Sequence, residues 1–110
     1  MTSRLDKLRN MLKEEPQDAF LLYALAHELA QAGQLEDAIT RFDQALVAEP
    51  TYCYAYFHKA KCFEELGRHE EAEATVRSGL ARASAVGDAQ AAGELRSLLE
   101  ELVDQQDFEP

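Results

Sequence analysis

Apolar residues recur every three or four positions along almost the whole chain, interrupted at intervals by proline or glycine. Leu5, Leu8, Met11 and Leu12 keep helical spacing until Pro16, which cannot continue a helix, and so predict a first helix over 3–14. Asp18 can cap a second over 18–32, whose Leu22, Leu25, Ala26, Leu29 and Ala30 form a wide apolar stripe ending at Gly33. Leu35, Ala38, Ile39, Phe42, Ala45 and Leu46 repeat the spacing as far as Pro50. The connection after Gly33 is only two or three residues long, so the second and third helices must fold back as an antiparallel hairpin. Thr51 can cap a fourth helix to about Leu66, Gly67 ends it, and a fifth runs from about His69 through Val76, Leu80 and Ala83. After Gly87-Asp88, the spacing of Ala92, Leu95, Leu98, Leu99 and Leu102 predicts a sixth helix over 89–103, with a polar tail, 104–110, expected to fray. No segment alternates as a strand does, so the expected fold class is all-α with about six helices.

The pattern also repeats at long range. Glu15-Pro16 and Glu49-Pro50 lie 34 residues apart, and the same step carries Ala26 onto Ala60, Gly33 onto Gly67, Glu36 onto Glu70, Ala38 onto Ala72 and Leu46 onto Leu80. Each such unit is too small to bury its own apolar face, so the units must stack. The first helix fits the period too: Leu5, Leu8, Leu12 and Pro16 fall at the offsets of Ile39, Phe42, Leu46 and Pro50, as the second half of a repeat would.

These residues carry a resemblance to the tetratricopeptide repeat family, whose helix-turn-helix units share small, aromatic, glycine and proline positions. Residues 19–52 match at Leu22, Leu25, Ala26, Leu29, Gly33, Ala38, Phe42, Ala45 and Pro50, and residues 53–86 match at Tyr56, Ala60, Phe63, Gly67, Ala72, Val76 and Gly79. Lys59 replaces an expected leucine, and Ser84 stands where a third proline would be, so the fifth helix is expected to run longer than the third. The resemblance implies a single domain over 1–110, a right-handed stack of antiparallel helix hairpins (an α-solenoid). Repeat one is 19–52 and repeat two 53–86, flanked by a half-repeat helix at 3–14 and a capping helix at 89–103.

Such a stack implies a concave surface lined by the first helix of each hairpin, suited to a peptide or partner helix. The residues expected to face it are Phe20, Tyr23, His27 and Gln31 from repeat one, and Tyr54, Phe57, His58, Lys61 and Glu65 from repeat two. Aromatic rings supply contact area with little rotamer entropy to lose, while the tyrosine hydroxyls, the imidazoles and Lys61 can fix polar groups. The bland alternative is that Phe20, Tyr54 and Phe57 partly serve packing between repeats. Some relatives clamp a chaperone peptide's terminal carboxylate with cationic and amide side chains on three first helices. The corresponding positions are read as Tyr23, His27, His58, Asp88 and Ala92, so that clamp is absent.

Composition narrows the partners. Twenty-one acidic residues against 11 basic give a net charge of −10, which disfavours nucleic-acid phosphate and anionic lipid. The expected partner is a protein or peptide, with no nucleic acid and no membrane. Charge is uneven: 1–13 holds Arg4, Lys7, Arg9 and Lys13 against Asp6, whereas 94–110 holds Glu94, Glu100, Glu101, Asp104, Asp107 and Glu109 against Arg96. Attraction between these ends supports an alternative reading as a self-assembling structural protein that forms weak homo-oligomers through its end helices.

The start of the chain lacks the apolar stretch of a secretory signal, and Cys53 and Cys62 lie about 13 Å apart along one helix, too far for a disulfide. Free thiols fit a cytoplasmic location. His58 and Cys62 share a helical face, but two residues do not make a metal site or a nucleophile with its base, and Cys62 reads as a buried structural thiol. No phosphate loop, GxSxG, HExxH or CxxC is present, so the expectation is a non-enzyme with no cofactor and no metal.

Overall fold

Local signals set most helix ends. A computed structural model describes residues 3–107 as six helices: α1 Arg4–Glu14, α2 Ala19–Gln31, α3 Leu35–Ala48, α4 Cys53–Glu65, α5 His69–Val86 and α6 Ala89–Asp107. Among the described residues there is no strand. Ser3 caps α1 by accepting the Asp6 N–H at 3.1 Å, and Asp18 caps α2 by accepting the Leu21 N–H at 3.0 Å. The N–H of Gln34 returns to the Leu29 carbonyl at 2.9 Å across Gly33, whose φ is 82°. Arg68 does the same to Phe63 across Gly67, at 2.9 Å and φ 75°. A side chain at either glycine would crowd its own backbone, so glycine is what lets α2 and α4 stop and reverse within three residues.

Three expectations need correction. Thr51 does not cap α4; its hydroxyl donates to Glu49 at 2.9 Å, and the N-cap is Tyr52, which makes no side-chain capping bond. α6 continues to Asp107 rather than ending at 103, because residues 104–107 contain no glycine or proline and loss of the apolar stripe alone does not stop a helix. The remainder of the expected tail, 108–110, lies outside the described residues. His69, which as the first residue of a helix is expected to be exposed, is only partly so, and its Nδ1 is buried without a hydrogen-bond partner.

Each helix packs on its neighbours in sequence, and in addition α2 touches α4 and α4 touches α6. The first helices of successive hairpins therefore lie closer together than the second helices, which curves the stack toward α2, α4 and α6. The shortest dimension is 17 Å, enough for two helix layers of roughly 10 Å each with interdigitated side chains.

Small residues sit at the crossings: Ala26, Ala38, Ala45, Ala60 and Ala72 are fully buried. Phe42, also 0% exposed, fills the space between hairpins. At the α4/α5 crossing a Cβ on Gly79 would stand 2.7 Å from the Tyr56 Cβ, so no larger residue fits there. Lys59 stands at an otherwise apolar position, lays its ammonium 2.6 Å from Asp43 of α3 and sits 5.8 Å from the Phe63 ring centroid.

α5 has 18 residues against 14 in α3, and it ends at Gly87 (φ 74°) rather than at a proline. Only Gly87 and Asp88 separate it from α6. The result is a change of register: α4 begins 34 residues after α2, but α6 begins 36 after α4.

Candidate functional site

The N-caps establish which positions of the three first helices correspond. Asp88 accepts the Ala91 N–H at 3.0 Å just as Asp18 accepts that of Leu21, so Asp88 is the structural counterpart of Asp18. It follows that Phe20, Tyr54 and Gln90 are equivalent on α2, α4 and α6, as are Tyr23, Phe57 and Gly93. His27, Lys61 and Ser97 form another set, and Gln31, Glu65 and Glu101 the last. The two-residue shift also moves the third-helix positions named above from Asp88 and Ala92 to Gln90 and Glu94. A plain 34-residue step misses this because α5 outruns its template.

On α2 and α4 the rows contain a cluster of rings. His58 lies 5.8 Å from Tyr23, 5.2 Å from His27 and 5.3 Å from Phe57, each edge to face, and stacks at 6.1 Å on buried Phe42. Tyr23 in turn meets Phe42 at 5.8 Å and Tyr52 at 5.3 Å. These separations suit the attraction between ring edges and faces, and they lock the orientation of His58. Of the expected groove residues, the structure thus brings Tyr23, His27, Phe57 and His58 together. Phe20 stands apart, 61% exposed, and Gln31 and Glu65 are also exposed. Tyr54 is half-buried against the core, and Lys61 spans 3.3 Å to Glu64. Tyr52 joins the cluster although its position in a connecting segment gave no sequence signal.

Burial explains the electrostatics of this cluster. It pushes His58 below its ordinary value of 6.5, and His27 and Lys61 add to the shift, so the ring is neutral around neutral pH. Burial raises the Tyr23 hydroxyl, as do Tyr52 and Tyr54. Cys62 is pushed up to about 11 by burial, with Glu65 adding to it, which leaves the thiol protonated and unreactive. It is 2% exposed, and among the described residues no three His, Cys, Asp or Glu side chains gather closely enough to hold a metal ion.

Toward α6 the surface opens. A groove of about 440 Å³ lies between α4 and α6, with Phe57 and Lys61 on one wall and Gly93, Glu94, Ser97 and Glu101 on the other. The α6 residues were not read as part of the site from the sequence. The signal that could have found them is the Asp88 cap, which resets the count. Among the described residues no helix is long and apolar enough to cross a membrane.

Two-layer helical hairpins with a groove along their first helices define an α-helical repeat protein. A tetratricopeptide repeat model matches residues 23–88, and the chain belongs to that family. An uncharacterised protein of Methanocaldococcus jannaschii is 34% identical over 70 residues, covering 64% of this chain and 81% of that protein. A Bordetella parapertussis protein solved in solution superimposes with a TM-score of 0.87 at 28% identity, over 99% of this chain and 95% of that one. The TPR2B domain of yeast Sti1, solved in complex with pHsp70, gives 0.85 at 23% identity, over 92% and 81%. At that identity the likeness to Sti1 is one of fold.

Proposed function

We propose that this chain is a non-catalytic interaction module that holds a peptide or partner helix along the concave face of α2, α4 and α6. The observation that carries this reading is the row of partly exposed aromatic and imidazole side chains leading from Tyr23 and His27 through His58 and Phe57 into the groove beside α6. Rings already held by one another lose little entropy on binding, and an extended groove offers contact along several residues of a ligand. The Sti1 domain, with the same fold, was solved with a bound partner, which supports this use of the architecture.

The test is capture of partners with in-place cross-linking, comparing the wild type with a Phe57→Ala, Lys61→Ala variant whose helical circular dichroism is unchanged. Cross-links between a captured chain and α4 or α6, lost in the variant, support the reading. Equal capture by both proteins sinks it.

Self-assembly through the end helices has a specific obstacle. Arg96 on α6 occupies the position of Ala26 on α2 and Ala60 on α4, which are fully buried at helix crossings, whereas Arg96 is exposed. Its bulk and charge oppose the docking of another helix on that end.

A further inference from the structure

Gly93 is a glycine that the fold does not need. It lies inside α6, where glycine weakens a helix, its backbone is not left-handed, and a Cβ built on it meets nothing within 4 Å. Gly79, by contrast, is required by a helix crossing. On α2 and α4 the position equivalent to Gly93 carries Tyr23 and Phe57, so the row of rings stops at a hole. That hole lies in the α6 wall of the groove between α4 and α6, which Phe57 lines from the α4 side. Its charged rim is unequal. Glu94 and Glu101 make no ion pair among the described residues, and the one lining cation, Lys61, is engaged by Glu64 at 3.3 Å.

We infer that this hole is the specificity pocket of the groove and that it receives a basic side chain, arginine above all, from an extended basic segment of a partner protein. The inference rests on the reading of the groove as a binding site. A planar guanidinium can lie against the Phe57 ring while its N–H groups donate to the carboxylate of Glu94 or of Glu101, which stand two helical turns apart on the same wall, and the bare backbone at Gly93 gives it room. Phe57 supplies the face, the two glutamates supply the charge, and the missing side chain supplies the depth. A partner of like charge would be repelled by the protein's net charge of −10, so the field of the whole molecule and the local rim select the same sign.

The experiment uses short fluorescein-labelled peptides of one apolar sequence with arginine, citrulline, leucine or glutamate at the central position, titrated by anisotropy at two salt concentrations. The arginine peptide should bind roughly tenfold more tightly than the citrulline peptide and weaken with salt, and the glutamate peptide should bind least. Gly93→Leu puts a side chain into the hole from a Cβ that meets nothing within 4 Å; it should leave the melting temperature unchanged or higher while lowering arginine-peptide affinity about tenfold. Glu94→Gln with Glu101→Gln should remove most of the salt dependence.

Binding of all four peptides equally well, with loss in Phe57→Ala but not in Gly93→Leu, would keep the groove and overturn the cationic pocket. Binding of none would overturn both. If sedimentation instead shows the protein associating with itself and Gly93→Leu abolishes that, the occupant is the basic end of a second copy and the partner proposal falls.

Discussion

Gly79 and Gly93 show how differently one residue type can be held at the residue scale. Gly79→Ala places a methyl 2.7 Å from Tyr56 and should cost about 1–3 kcal/mol, since two helix backbones would have to part. Gly93→Ala enters open space and should stabilise by about 0.5–1 kcal/mol. Urea midpoints of the two variants should move in opposite directions. His58 makes a second prediction. Its folded value lies below the ordinary 6.5, so the folded state resists protonation, and its contribution to stability is present above 6.5 and lost as pH falls from 6.5 through the lowered value. The groups facing it are Tyr23 and His27 from α2, Phe42 from α3, and Phe57 and Lys61 from α4. His58→Gln should flatten the fall of the urea midpoint between pH 7 and 5. A third concerns the thiols: Cys53 and Cys62 are both free, buried and raised, so neither should react with iodoacetamide at mildly alkaline pH until urea unfolds the chain.

At the scale of the element, the contrast between α3 and α5 is the informative one. Both begin two residues after the turn glycine, yet α3 stops before Pro50 and α5 passes Ser84, which holds the place of that proline, to end at Val86. Ser84→Pro would remove an N–H inside α5 and press its ring on the Leu80 carbonyl. It should cost about 3 kcal/mol and lower the urea midpoint, with greater loss of the contacts that hold α6 than of those between α2 and α3. The ends of α2 and the stop of α1 were legible in Asp18, Gly33 and Pro16, because caps and breakers act within one turn. Thr51 misled for a related reason: a hydroxyl beside a proline turn has nearby partners other than a helix N-terminus, and here Glu49 takes it.

Across the whole molecule, the last helix both completes the stack and forms half of the groove. Leu95, Leu98 and Leu102 are at most 2% exposed, and each contributes about 1.5–3 kcal/mol by burial. Against a total of about 5–15 kcal/mol for a chain of this size, ending it at Asp88 should remove most of the stability, not merely one wall of the groove. Thermal unfolding followed by circular dichroism checks this, and retention of the full-length melting temperature would refute it.

Taken alone, the sequence determined the number of helices, their pairing as hairpins and the positions of small residues at crossings. Those follow from spacing, proline and glycine, whose effects reach only a few residues along the chain. The tertiary structure alone decided the neutral His58 among four rings and the groove that opens toward α6. Each of these depends on which faces of distant segments meet, and how far a helix runs before it turns decides that meeting.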